Sequence, residues 1–232
     1  MGQGWAQIVF YAIALVALSY PLGIWMARVY TRERGDVVER GFLRLLGRDA
    51  AGDQDWKRYA LSVIVFTIVY SVFLYGLLRL QGHLFLTPDH LPAVPWAVAL
   101  NTTASFVTNT NWQYYGGEYT MSYLSQMGGL AVQQFVSAAA GMAVLAAISR
   151  GIAQRGGAVG LGNFWRDLYR GIVYILLPLS IVLAVVLLAT GVPQTFNAHA
   201  TATTASPTPA ETNCCTASPA IWLRYDMVAS PA

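Results

Sequence analysis

Four consecutive polar residues, Thr108-Asn109-Thr110-Asn111, are of the types that a cation site built from backbone carbonyls requires. In potassium channels, rings of such carbonyls replace the hydration shell of the ion. The site needs residues that tolerate unusual dihedrals, and asparagine is among the non-glycine residues most often found at positive φ. Asn109 and Asn111 therefore suit a cation filter, and the Thr108 hydroxyl could add a ligand at its inner mouth.

A short apolar segment that begins at Pro95 precedes these polar residues. About thirteen residues at ~1.5 Å each reach only ~20 Å, which is short of the ~30 Å hydrocarbon core. The pattern predicts a re-entrant pore loop over residues 95–118, in which a short helix descends and polar backbone returns in extended form. An ordinary extracellular loop with a surface helix is the alternative, because Thr and Asn also alternate in turns and Asn101-Thr102-Thr103 matches a glycosylation sequon.

The composition of the whole chain places this loop in a membrane protein. Of 232 residues, 56% are hydrophobic and 11% are charged, against roughly 25% charged in a soluble domain. Uncharged apolar runs lie at about 5–26, 59–78, within 119–149, and at 172–192. We therefore predict an all-α membrane protein with about four transmembrane helices plus one re-entrant pore helix and filter loop. Glycines in the third run predict close helix packing there; they are Gly128, Gly129 and Gly141.

The basic residues predict the orientation of the helices. Twelve of the fourteen Lys and Arg residues fall in two connections, 28–58 and 150–170. The positive-inside rule puts both connections in the cytoplasm, so the N-terminus and the pore loop lie outside. Apolar residues among the charges of 42–46 predict a short amphipathic helix on the inner surface, and a solvated loop is the alternative.

Several classes of function lack the residues they need. The three histidines, His83, His90 and His199, lie outside the apolar runs, which excludes the usual intramembrane haem ligands. No acidic residue lies within the predicted spans, so a buried proton relay has no candidates. Cys214 and Cys215 are adjacent and have no metal-ligand spacing. A net charge of +3 does not indicate a nucleic-acid partner, because the basic residues serve topology.

Enzyme chemistry also lacks candidates. The glycine-rich stretch GGAVGLGN at 156–163 lacks the GK[ST] ending of a phosphate loop and follows no strand, so it predicts a flexible turn. The apolar runs contain no nucleophile–base pair. We predict no catalytic residue in this chain.

Three stretches resemble one family of membrane proteins. They are similar to the family of the pore-forming, potassium-transporting ATPase A subunits. The stretches are NTTASFVTNTNWQYYGGEYTMSYLSQMGGLAVQQFVSAAAGMAV, LGNFWRDLYRGIVYILLPLSIVLA and the Pro21-Leu22-Gly23 ending of the first run. The resemblance covers about residues 5–204. It implies a protein descended from potassium channels, with four membrane–pore–membrane units in one chain.

The resemblance also implies a potassium-binding and translocating role in an ATP-driven, high-affinity uptake complex of the bacterial plasma membrane. Potassium is the transported ion, no organic cofactor is bound, and a partner hydrolyses ATP. The implied partners are two small accessory membrane subunits and a catalytic P-type ATPase subunit. By matching motif, the resemblance implies that the first filter strand consists of Thr108, Asn109, Thr110 and Asn111. Potassium would bind the backbone carbonyls of Thr108, Asn109 and Thr110. The residues implied to support the filter are Gln113, Gly116 and Gly117.

Matched to the family, the chain divides into four parts. Residues 1–58 form the first helix and a basic loop, and residues 59–149 form the first membrane–pore–membrane unit. Residues 150–193 form a loop and the opening helix of an incomplete second unit. Residues 194–232 form an extracytoplasmic tail. The tail departs from the family after about residue 204. A frameshift, a truncated gene model or a degenerate fragment would each explain this departure, and we favour the frameshift. Because one strand supplies a quarter of a carbonyl ring, the alternative function is a non-conducting membrane fragment that only binds partner subunits.

Overall fold

A computed structural model describes residues 2–32, 35–46, 52–87, 90–153 and 160–191, and within these ranges all regular structure is helical. Four helical segments are long and apolar enough to cross a membrane, which confirms the predicted fold class. The tail at 194–232, with His199 and both cysteines, lies outside the described residues. The four spans are Gly4–Tyr30, Trp56–His83, Ser125–Ala153 and Phe164–Ala189.

The helices follow one another in chain order with short π-helical and 3-10 segments between them. Leu80 is followed by the 3-10 turn Gln81–His83, and π-helical segments occupy Ser125–Ala131 and Gly171–Leu176. The α-helices are α1 Gly2–Tyr30, α2 Val37–Leu45, α3 Trp56–Leu80, α4 Trp96–Val107, α5 Gly117–Thr120, α6 Val132–Ala153, α7 Phe164–Arg170 and α8 Leu177–Ala189.

The main core lies where α3, α6 and α7 meet. Ala139, Ala143 and Ala147 recur every four residues, so they form one stripe along α6. Their small side chains leave room for Tyr59 of α3 and Phe164 of α7, whose rings pack edge to face with centroids 5.7 Å apart. The Tyr59 hydroxyl donates to the Ala143 carbonyl at 2.7 Å, so its polar end is satisfied within the core.

Close packing at the predicted glycines is found at one of the three. A Cβ on Gly129 would lie 2.8 Å from a methyl of Leu77 and 3.0 Å from a methyl of Leu74, both on α3. A Cβ on Gly128 would be 3.4 Å from Leu124, and one on Gly141 would meet nothing within 4 Å. Gly129 is therefore the position where the π-helical segment approaches α3 most tightly.

Two ion pairs, one of them fully buried, join helix ends on the side of the molecule that the positive-inside rule predicts to be the inner one. Arg170 donates to the Glu39 carboxylate at 3.0 Å, and the two side chains are 3% and 2% exposed. Arg150 binds both oxygens of Asp167 at 2.7 and 2.8 Å. We call these four residues the inner ion-pair cluster.

The same arginines also hold the C-terminal end of α1. Arg170 donates to the Val29 carbonyl at 3.4 Å and, just beyond the helix, to the Arg32 carbonyl at 2.8 Å. Arg150 donates to the Tyr30 carbonyl at 3.3 Å. The last carbonyls of a helix have no intrahelical partner and carry partial negative charge, so two guanidinium groups are well placed there. The predicted absence of acidic residues in the spans is wrong for Asp167, because the fourth span begins at Phe164 rather than at 172.

The amphipathic helix predicted among the charges of 42–46 exists as α2, and it packs on protein. Glu39 and Leu43 are buried on one face, while Val37 and Leu45 are exposed. The Asp36 carboxylate caps its first turn by accepting from the Glu39 N–H at 2.7 Å. A hydrogen bond from the Tyr174 hydroxyl lowers the pKa of the Asp36 carboxyl further below its ordinary value.

The end of the glycine-rich stretch is held by the first basic connection. The Gln54 N–H donates to the Gly162 carbonyl at 2.7 Å, and the Leu161 N–H donates to the Gln54 carbonyl at 3.0 Å. Gly162 has a φ of +92°, a conformation that residues with side chains rarely adopt. Asn163 then caps α7. Part of the predicted flexible turn, residues 160–163, is thus held by hydrogen bonds, and 156–159 lie outside the described residues.

Candidate functional site

The candidate pore helix α4 begins and ends close to the predicted residues. Pro95 precedes its first turn, where a missing N–H costs nothing. The Val94 N–H donates to the Leu78 carbonyl at 3.2 Å, so α4 starts beside the last turns of α3. Its twelve residues span about 18 Å, too short to cross a bilayer. The helix therefore enters beside α3 and stops partway.

The inward face of α4 is buried against α3 and the π-helical segment. Phe106 is 2% exposed and packs in a second core with Leu74, Leu78 and Leu130. A large apolar residue near the C-terminal end fixes the depth of α4 relative to α3. The polar residues that follow Val107 are held at this depth.

Residues 108–111, the filter turn, do not form the extended strand that the sequence predicts. Thr108 is near-helical with φ −84° and ψ 3°. Asn109 and Asn111 have φ values of 57° and 56°, in the left-handed region. The N–H groups of Thr110 and Asn111 both donate to the Ser105 carbonyl, at 2.9 and 3.2 Å. The chain therefore turns back sharply at the end of α4, because asparagine accepts the left-handed conformation more readily than most residues.

Side chains of the filter turn bond to its own helix. The Thr108 hydroxyl donates to the Ala104 carbonyl at 2.8 Å and lies 2.8 Å from the Thr110 hydroxyl. The Ser105 hydroxyl donates to the Trp112 carbonyl at 2.8 Å, which joins the outgoing chain to the last turn of α4. Thr108, Asn109 and Thr110 are exposed. The predicted filter residues are thus brought together on an open surface at a helix C-terminus.

The three predicted support residues occupy different settings. Gln113 and Gly116 are exposed. The Gly117 carbonyl accepts from the Gln126 amide at 3.0 Å, which ties the end of the pore loop to the third span. Their support of a filter remains a prediction.

A residue that sequence reasoning missed fixes both ends of the pore loop. Gln81 is fully buried, and its amide donates to the Pro92 and Thr120 carbonyls, each at 2.7 Å. Its carbonyl oxygen accepts from the Ser122 N–H at 3.2 Å and the Ser125 hydroxyl at 2.9 Å. The signal for it was an uncharged amide directly after an apolar run, which is too common to single out without the fold.

The third span supplies the side wall of the filter turn. The Ser137 hydroxyl, on α6, donates to Asn109 Oδ1 at 3.3 Å. Gln133, one turn earlier on α6, is 1% exposed. A polar side chain of α6, Ser137, therefore contacts the first left-handed residue of the turn, and the buried Gln133 lies one helical turn away from it.

Comparison with known proteins identifies the family. A family model described as potassium-transporting ATPase A subunit matches residues 9–221. The chain belongs to this family. The matched range includes residues on both sides of 204, and the aberrant tail remains a prediction.

Curated relatives of the family agree with the match. Proteins named potassium-transporting ATPase potassium-binding subunit are 51% identical in Solidesulfovibrio magneticus, 52% in Sorangium cellulosum and 48% in Pseudomonas aeruginosa. The alignments cover 88%, 86% and 85% of this chain but 36%, 35% and 36% of those proteins. The chain thus spans about a third of the length of these relatives.

Proposed function

We propose that this chain supplies the first of four filter strands of the potassium-binding and translocating subunit of an ATP-driven, high-affinity potassium uptake complex. The observation that carries the proposal is a short helix, buried on one face, that stops partway and ends in a turn with two left-handed asparagines. Membership of the family of potassium-transporting ATPase A subunits supports the choice of ion.

The chemistry follows from the end of α4. The C-terminal end of a helix carries about half a negative charge, which favours a cation at the filter turn. Left-handed residues between near-helical ones reorient successive peptide groups, so the carbonyls of Thr108, Asn109 and Thr110 can face an ion that approaches from outside. One strand supplies one side of the carbonyl ring, and the other three would come from further pore units of the family's longer chains.

The remaining elements of the proposal concern the complex. ATP is hydrolysed by a P-type ATPase partner and not by this chain, and two small accessory membrane subunits complete the assembly in the bacterial plasma membrane. The inner ends of α1, α6 and α7 meet at the inner ion-pair cluster, so they share one side of the bilayer. Because most basic residues lie on that side, it is cytoplasmic and the N-terminus is outside.

Uptake by a full-length subunit that carries these residues tests the filter assignment. In the assembled complex, Asn109→Ala should raise the potassium concentration for half-maximal uptake about five- to thirtyfold, since alanine disfavours the left-handed conformation by roughly 1–2 kcal/mol. Asn109→Gly retains that conformation and should change the half-maximal potassium concentration less. His83→Ala, at an exposed position in the same connection, is the control.

Unchanged half-maximal potassium in Asn109→Ala and in Thr108→Ala would refute the filter assignment. The rival function, a non-conducting fragment that only binds partners, predicts a separate result for the 232-residue chain. That chain would co-purify with the ATPase subunit without any potassium-stimulated ATP hydrolysis.

A further inference from the structure

A glutamine in the third span is buried without any hydrogen bond to its side chain. Gln133 is 1% exposed, and neither Nε2 nor Oε1 has a partner among the described residues. A buried, unpaired amide is destabilising, so apolar packing does not account for glutamine at this position. The side chain must serve a purpose that a leucine of similar size would not serve.

Gln133 shares a face of α6 with a residue that contacts the filter turn. Residues four apart on a helix lie one above the other, which places Gln133 one turn from Ser137. Ser137 is 4% exposed and donates to Asn109 Oδ1 at 3.3 Å. The buried face of α6 beside the filter turn therefore carries two polar side chains in succession.

The filter turn also has a buried hydrogen-bond acceptor that lacks a donor. Oδ1 of Asn111, the second left-handed residue, has no partner among the described residues. A left-handed conformation costs a non-glycine residue roughly 1–2 kcal/mol, so it persists where surrounding contacts hold it. Ser137 provides such a contact to Asn109, and the Gln133 amide has the donors that the Asn111 oxygen requires.

We propose that Ser137 and Gln133 are positioning residues that hold Asn109 and Asn111 left-handed and thereby set the ion selectivity of the filter. Ser137 acts directly, and Gln133 donates to the filter turn across one buried water. The inference rests on the proposed function, since it assumes that the carbonyls of this turn face the transported ion. A small rotation of either asparagine would redirect those carbonyls, and the loss would appear as altered ion preference.

The experiment compares Gln133→Leu and Ser137→Ala with Gln134→Leu in the full-length protein, assembled with its ATPase partner and reconstituted in vesicles. Gln134 is the matched control, because it lies in an apolar cleft with Phe135 and Leu176, outside the face that contacts the turn. We measure the concentrations of potassium, rubidium and sodium that half-maximally stimulate ATP hydrolysis, together with maximal rate and thermal stability.

The two test variants should raise the half-maximal potassium concentration about two- to tenfold, as loss of one buried hydrogen bond predicts, and should reduce discrimination between potassium and the other ions. Gln133→Leu should leave thermal stability unchanged, because leucine is of similar size and brings no buried amide that needs partners. Ser137→Thr, which keeps the hydroxyl, should retain the potassium preference that Ser137→Ala loses. A merely structural role would lower stability and leave ion preference unchanged, and that result overturns the proposal.

The outcomes also separate this inference from the proposed function. If Asn109→Ala changes potassium preference while Gln133→Leu and Ser137→Ala do not, the positioning role fails and the filter assignment stands. If none of the three changes it, the filter assignment itself fails. Should Gln133→Leu not assemble, the pair Ser137→Ala and Ser137→Thr provides the same test.

Discussion

Asn109, Asn111 and Gln81 show what single residues contribute to the pore loop. The two asparagines contribute through their backbone conformation, because their left-handed φ values reverse the chain within the space between α4 and α6. Gln81 is chosen for its amide, which offers two donors and an acceptor to a connection that has few regular backbone hydrogen bonds. Both choices place the filter turn relative to α3.

At the residue scale we predict that Gln81→Leu destabilises the chain by on the order of 3 kcal/mol. The substitution removes the partner of the buried Ser122 N–H and of the Pro92 and Thr120 carbonyls, whose bonds to Gln81 are partly buried; each fully buried group left unpaired costs about 1–3 kcal/mol. Thermal unfolding in detergent measures the effect, with the exposed neighbour His83→Ala as the control. An equal shift for both variants would contradict the role of Gln81.

The helices owe their packing to small residues at a few sites. Gly129 lets the π-helical segment Ser125–Ala131 lie against Leu74 and Leu77, and the alanine stripe of α6 accommodates Tyr59 and Phe164. Helices in lipid associate through close packing more than through the hydrophobic effect, so such sites decide their separation. The separation of α3 from the third span in turn sets the space available to α4.

At the element scale we predict that Gly129→Ala destabilises the chain by about 1–3 kcal/mol, the usual cost of overpacking a filled site. Leu74 is fully buried, so it cannot yield to a new methyl at 3.0 Å. Gly141→Ala introduces the same methyl where nothing lies within 4 Å, and should be neutral or slightly stabilising. Denaturation in detergent distinguishes the two, and a Gly141→Ala loss as large as that of Gly129→Ala would sink the packing argument.

At the scale of the whole molecule, the inner ion-pair cluster ties together α1, α2, α6 and α7. α1 has little packing along its length, and no residue of its most apolar window is buried in the described structure. Its C-terminal end is nevertheless fixed, because Arg150 donates to the Tyr30 carbonyl and Arg170 to the Val29 carbonyl while each is paired with a carboxylate. Polar contacts thus hold the helix where apolar contacts are sparse.

At this scale we predict that Glu39→Gln destabilises the fold by about 3–5 kcal/mol, since it leaves the charge of Arg170 buried and uncompensated. Arg166→Gln is the control, because Arg166 is 29% exposed and its contacts to Glu39 and Asp53 are 3.9 and 4.0 Å. The double variant Glu39→Gln with Arg170→Gln should recover part of the loss. Additive losses in this cycle would show that the two residues do not act as a pair.

The sequence alone determined the four spans and the short pore helix, because hydrophobic length is read along the chain. It also indicated that Asn109 and Asn111 could take unusual dihedrals, which depends on residue type. The tertiary structure decided the sharp turn at 108–111, the tie from Gln81 to both ends of the pore loop and the pairing of Glu39 with Arg170. These features depend on residues separated by up to 131 positions, whose meeting follows from how the helices pack. No local pattern encodes such contacts, since each partner by itself is an ordinary amide or charge.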